Sequence, residues 1–138
     1  MDAKIILGGC LCGAVRYEAA GTPYNLTCCH CADCRRSSGA PFVAWASFRQ
    51  DDFRFVSGEA TSLPWNGRMR LFCSRCGTPL VFKTSLDADE IDVTVCSFDH
   101  PEAYSPSDHT WIEDQLAWIH LADSLPAYHQ KRKIEGVA

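Results

Sequence analysis

Seven of the nine cysteines of this 138-residue chain stand in three short stretches: Cys10-Leu11-Cys12, Cys29-His30-Cys31-Ala32-Asp33-Cys34 and Cys73-Ser74-Arg75-Cys76. A tetrahedral zinc takes four ligands, so seven thiolates divide into four plus three. A closed four-cysteine site is structural, whereas three protein ligands leave one position open to water or substrate. The odd number of cysteines argues against a purely disulfide framework. The cysteine pattern therefore predicts two metal sites of different character.

Composition narrows the partners. Hydrophobic residues make up 46% and aromatics 11% of the chain, which excludes a disordered polar protein. The net charge of −4 and the lack of a basic stripe speak against nucleic acid as a partner. The early apolar run Ile5-Ile6-Leu7 is too short to span a membrane or form a signal-peptide core. The expected location is thus the cytoplasm, where thiols stay reduced. The length fits a single domain, 1–138, with the basic end 129–138 expected to fray.

Short β-branched and aromatic runs alternate with Gly, Pro, Asp and Ser, predicting a mainly β fold. Strands are expected over 14–18, 25–29, 42–48, 53–57, 69–72, 79–83, 91–96 and 118–121, with one helical turn over 33–37. Trp45, Trp65, Trp111 and Trp118 are expected in the core.

Strand geometry sorts the cysteines, because residues two apart face the same way. Cys10 and Cys12 converge, as do Cys29 and Cys31. Cys28 faces away from Cys29 and reads as a small buried hydrophobe, and the same reading applies to Cys96. Cys73-Ser74-Arg75-Cys76-Gly77 has the composition of a metal knuckle, with Gly77 supplying the positive φ at which the chain turns away. A thioredoxin-type redox pair has the same C-x-x-C spacing, but no βαβ pattern surrounds it. Cys10, Cys12, Cys73 and Cys76 therefore form the expected structural zinc site. Cys29, Cys31 and Cys34 remain as an open, thiol-rich site, unless Cys28, Cys96 or a histidine closes it. His30 lies between two ligands and points opposite to them, toward packing or a supporting hydrogen bond. Arg35 and Arg36 are either a solvated basic pair or a clamp for a substrate carboxylate.

The order C-x-C, C-H-C-x-x-C-R-R, F-C-x-x-C-G-T-P-L resembles the glutathione-dependent formaldehyde-activating enzyme family, with its centromere protein V-type zinc domain. Here it stands as Gly9 to Gly13, Cys29 to Arg36 and Phe72 to Leu80. Gly39-Ala40-Pro41-Phe42, Asp92-Val93-Thr94-Val95 with Asp99, and the closing Trp118, Asp123, Leu125-Pro126 and Tyr128 extend the likeness to about residues 8 to 128. The chain departs from the family at Cys96, where glycine is common. The resemblance implies a β-tent fold, antiparallel sheets pinned by the four-cysteine zinc, and a second zinc on Cys29, Cys31 and Cys34. It also implies a carbon–sulfur lyase-type activity on a thiol–aldehyde adduct, such as S-(hydroxymethyl)glutathione made from glutathione and formaldehyde. Arg35, Arg36 and Asp99 are the expected substrate contacts, and Asp99, His100 and His109 the candidate proton carriers. Two other functions fit the same residues: the open zinc acting on another small electrophile, and a non-catalytic zinc module that binds a protein partner.

Overall fold

In a computed structural model, the described residues, 4–132, form a mainly β protein of ten strands in two sheets with one α-helix. The chain divides into two compact units. One comprises 4–25 and 46–105, the other 26–45 and 106–132. None of the described helices is long and apolar enough to cross a membrane.

The first unit holds an antiparallel three-stranded sheet in the order β1-β2-β5, made of Ile5–Gly9, Arg16–Ala20 and Phe53–Ser57. Period-two alternation builds its inner face: Ile6 on β1 and Tyr17 and Ala19 on β2 are buried, while Ile5 and Leu7 face out. Gly8 is required by close approach. A Cβ there would collide with the Tyr17 hydroxyl and come within 2.6 Å of the Ser97 carbonyl oxygen. The Tyr17 hydroxyl lies 2.5 Å from Ser97 Oγ, so the buried phenol is satisfied.

The same unit holds the 46–49 part of β4 (Val43–Arg49), followed in strand order by β9, β8, β7 and β6: Glu90–Thr94, Pro79–Lys83, Arg68–Phe72 and Thr61–Trp65. Leu80, Val81, Ile91, Val93 and Phe48 fill its core, each worth about 1.5–3 kcal/mol when fully buried. Asn66 and Gly67, both at positive φ, form the two-residue turn of the β6–β7 hairpin. β5 and β8 fall where the sequence places them. β9 stops at Thr94, and Cys96 lies in a 3-10 turn, Val95–Ser97. Cys96 is exposed there, contrary to the expected buried thiol.

In the second unit the 26–29 part of β3 (Tyr24–Cys29) pairs with β10 (Asp108–Thr110), which runs parallel to it. β10 is short and polar yet wholly buried, because backbone surrounds it. His109 N–H donates to Pro126 O, and Tyr128 N–H donates to His109 O, on the side away from β3. The expected strand over 118–121 is absent: Ile119 N–H closes a turn onto Leu116 O, and Trp118 is 65% exposed. Trp65 is 72% exposed, and Trp45 and Trp111 are only half-buried, so no tryptophan sits in the core. Of the end expected to fray, Gln130 O accepts from Trp111 N–H, His129 O accepts from Glu113 N–H, and Arg132 pairs with Asp108; residues 133–138 lie outside the described residues.

Candidate metal centres

Cys10, just past β1, and Cys12 meet Cys73 and Cys76, which follow β7, all in the first unit. All four sulfurs lie within 4.8 Å of one another. Cys10 and Cys12 Sγ are 3.6 Å apart and Cys12 and Cys73 Sγ 3.9 Å. Zinc–sulfur bonds of about 2.3 Å in a tetrahedron put sulfurs about 3.8 Å apart, so the spacing fits a zinc ion and is far from the ~2 Å of a disulfide. Backbone holds the cradle: Val15 N–H donates to Cys10 Sγ (3.2 Å), Gly77 N–H to Cys73 O (2.7 Å), and Gly77 takes φ 82° as its role requires. The Thr78 hydroxyl 3.2 Å from Cys76 Sγ, with the N–H groups of Cys12 and Thr78, draws the Cys76 thiol down to about 5. Thr78 Oγ1 also accepts from Leu11 N–H at 3.0 Å, tying the knuckle to the C-x-C turn.

Cys29, Cys31 and Cys34 converge in the second unit, their sulfurs also within 4.8 Å. Cys29 ends β3 and is buried. Cys31 is the N-cap of the short helix α1, Ala32–Ser38, and its Sγ accepts from Cys34 N–H at 3.2 Å. The helix closes at Gly39, φ 70°, whose N–H donates to Arg35 O. That turn is why a C-x-x-C following a C-x-C brings a third sulfur to the first two. The trio shares its charge unevenly: hydrogen bonds from the Cys29 and Cys34 thiols draw Cys31 down to about 2, while Cys29 and Cys34 are pushed up beside the first anion. Three close thiols that resist ionising together are a donor set suited to a soft cation. Among the described residues no fourth ligating group joins them. Cys28 is buried and outside the cluster, as expected.

Behind the cysteines lies a chain of polar groups. His30 is wholly buried, its Nε2 3.0 Å from Nδ1 of His109, and His109 Nε2 is 2.7 Å from Asp123 Oδ2. Burial, with His109 nearby, lowers the His30 pKa. Phe42 packs on its ring at 4.8 Å. The Trp45 indole N–H donates to Cys34 Sγ at 3.4 Å, a contact sequence spacing does not reveal. Arg35 Nε is buried without a partner, and Arg36 is exposed. Asp99 belongs to the first unit, where Arg16 grips it with two bonds of 2.9 and 2.5 Å and lowers its pKa. No sequence signal pointed to Arg16. His100 is exposed at the start of a 3-10 turn, Pro101–Ala103.

Ten strands bearing one four-cysteine and one three-cysteine cluster define a β-sheet protein with two thiol clusters that could each hold a metal ion. Residues 5–114 match the family model described as glutathione-dependent formaldehyde-activating enzyme, and the chain belongs to that family. It is similar to an uncharacterized lyase of Schizosaccharomyces pombe, 26% identical over 118 residues that span 75% of this chain and 86% of the relative. The crystal structure of a Rhodobacter sphaeroides protein, 24% identical, superposes with a TM-score of 0.54 over 88% of this chain and 98% of that one, a likeness of fold alone.

Proposed function

We propose that this protein is a zinc-dependent carbon–sulfur lyase-type enzyme that forms or cleaves the adduct of a small-molecule thiol and a small aldehyde, with glutathione and formaldehyde as the first pair. Family membership and a relative named as a lyase support the reaction class. The observation that carries the reading is the contrast between the clusters: four sulfurs in one, three in the other, with no fourth ligating group among the described residues.

In this reading Cys10, Cys12, Cys73 and Cys76 hold a structural zinc, and Cys29, Cys31 and Cys34 hold the second, catalytic one. When bound, the second metal supplies the positive charge that favours the thiolate form of an incoming thiol. The carbon–sulfur bond forms as the sulfur lone pair attacks the aldehyde carbon, and the thiol proton ends on the new hydroxyl. Positioning, rather than ionisation alone, supplies most of the acceleration: a free thiol has a pKa of about 8.5, so full ionisation gains only about ten- to a hundredfold at neutral pH. Arg35 and Arg36 clamp substrate carboxylates, and the unpartnered Arg35 Nε favours that role. Asp99 is instead taken up by its ion pair with Arg16.

Native mass spectrometry under reducing conditions tests this. Two zincs per chain and a glutathione adduct that vanishes in Cys31→Ser are expected, together with faster exchange between formaldehyde and its glutathione adduct by NMR. One zinc, or two with no thiol adduct, would overturn the open-site reading.

A further inference from the structure

The three sulfurs of the second cluster are not held alike. Cys31 Sγ accepts from the backbone N–H of Cys34, within the segment that carries the ligands. Cys34 Sγ accepts instead from a side chain eleven residues on, the indole N–H of Trp45 on β4, at 3.4 Å. An indole nitrogen can only donate, so the polarity of this contact is unambiguous.

Three thiolates around a dication leave a net charge of −1, and a fourth anionic sulfur takes it to −2. An N–H dipole aimed at one sulfur offsets part of that charge, and hydrogen bonds to metal-bound sulfur weaken its donation. We propose that Trp45 is a positioning residue of the three-cysteine site, whose indole N–H withdraws charge from Cys34 and so fits the site to accept a thiol as fourth ligand. This rests on the thiol-binding reading above. Because Trp45 stands on a strand rather than in the ligand loop, removing its N–H leaves the Cys31 cap and the α1 turn in place.

Cobalt spectroscopy tests the idea. The four-cysteine site is filled with one equivalent of zinc, the second site with cobalt, and the sulfur-to-cobalt charge-transfer bands are followed as glutathione is added. Trp45→Phe removes the N–H. The isostere β-(3-benzothienyl)alanine at the same position removes it with the shape kept, should the phenylalanine variant fold poorly. Trp65→Phe, exposed in the other unit, is the control. Expected in both Trp45 variants are charge-transfer bands at longer wavelength and glutathione binding weaker by about tenfold, the lower end of what lost supporting contacts cost. Wild-type bands and affinity in a Trp45 variant would overturn the role of Trp45 while leaving the open site standing. Wild-type cobalt bands that ignore glutathione would overturn the thiol-binding reading, and this inference with it. A merely structural role would lower the melting temperature without moving the bands.

Discussion

With both rings neutral, His30 and His109 share one hydrogen bond in which only one tautomer of each ring fits. Asp123 accepts the Nε2 proton of His109 at 2.7 Å, which leaves Nδ1 as an acceptor. His30 Nε2, 3.0 Å away, is then the donor, and His30 Nδ1 is a bare nitrogen in a wholly buried ring. Cutting the chain at His109 strands a buried donor, which costs more than the bond itself contributes. His109→Ala should therefore destabilise the protein by about 2–4 kcal/mol, the lost bond plus the cavity. Asp123→Asn should cost less, because Asp123 is partly in water. Urea denaturation of the two variants measures the difference, and equal losses would refute the tautomer assignment.

Asp92 imposes a pH dependence. Burial lifts its carboxyl to about 6, although Ser47 Oγ donates to Oδ1 at 2.6 Å and opposes the shift. The unfolded carboxyl titrates near 3.9, so between about pH 4 and pH 6 the folded state holds more protons and stability falls as pH rises. Well above pH 6 the loss is complete, about 3 kcal/mol. Asp92→Asn keeps an acceptor for Ser47 and removes the ionisation. It should raise the melting temperature at pH 7.5 and leave it nearly unchanged at pH 4; melting curves at the two pH values decide it.

The two cysteine clusters should respond oppositely to mutation. Cys73 is buried and its loss opens the four-sulfur cradle, so Cys73→Ser should yield unfolded or insoluble protein. Cys31→Ser should fold, bind one metal fewer and lose thiol binding. Circular dichroism with metal analysis reads both; an insoluble Cys31→Ser would make the second site structural.

Gly8→Ala tests packing. The added methyl meets the Tyr17 ring and the Ser97 carbonyl, and neither has room to retreat. Overpacking of this kind costs about 1–3 kcal/mol, and thermal denaturation should show it. Gly13, with open space around its absent Cβ, is the contrast; its positive φ alone makes Gly13→Ala cost about 1 kcal/mol.

Local chemistry was enough to locate much of this protein. Cysteine spacing alone paired Cys10 and Cys12 with Cys73 and Cys76 and isolated Cys29, Cys31 and Cys34, because C-x-C and C-x-x-C are short enough for backbone geometry to bring the sulfurs together. β-Branched and aromatic runs between turn residues marked β5, β8 and β9, while Asn66-Gly67 carried an unused signal for the β6–β7 hairpin. Tertiary structure decided the rest. β10 is three polar residues whose burial depends on β3 and on the segment around Pro126 and Tyr128, so no window of sequence reveals it. Trp45 reaches Cys34 because a strand and a helix present them together, and Arg16 takes Asp99 from 83 residues away. Periodicity records which face a residue turns to its neighbours, but the partner across space is set only when the backbone has closed.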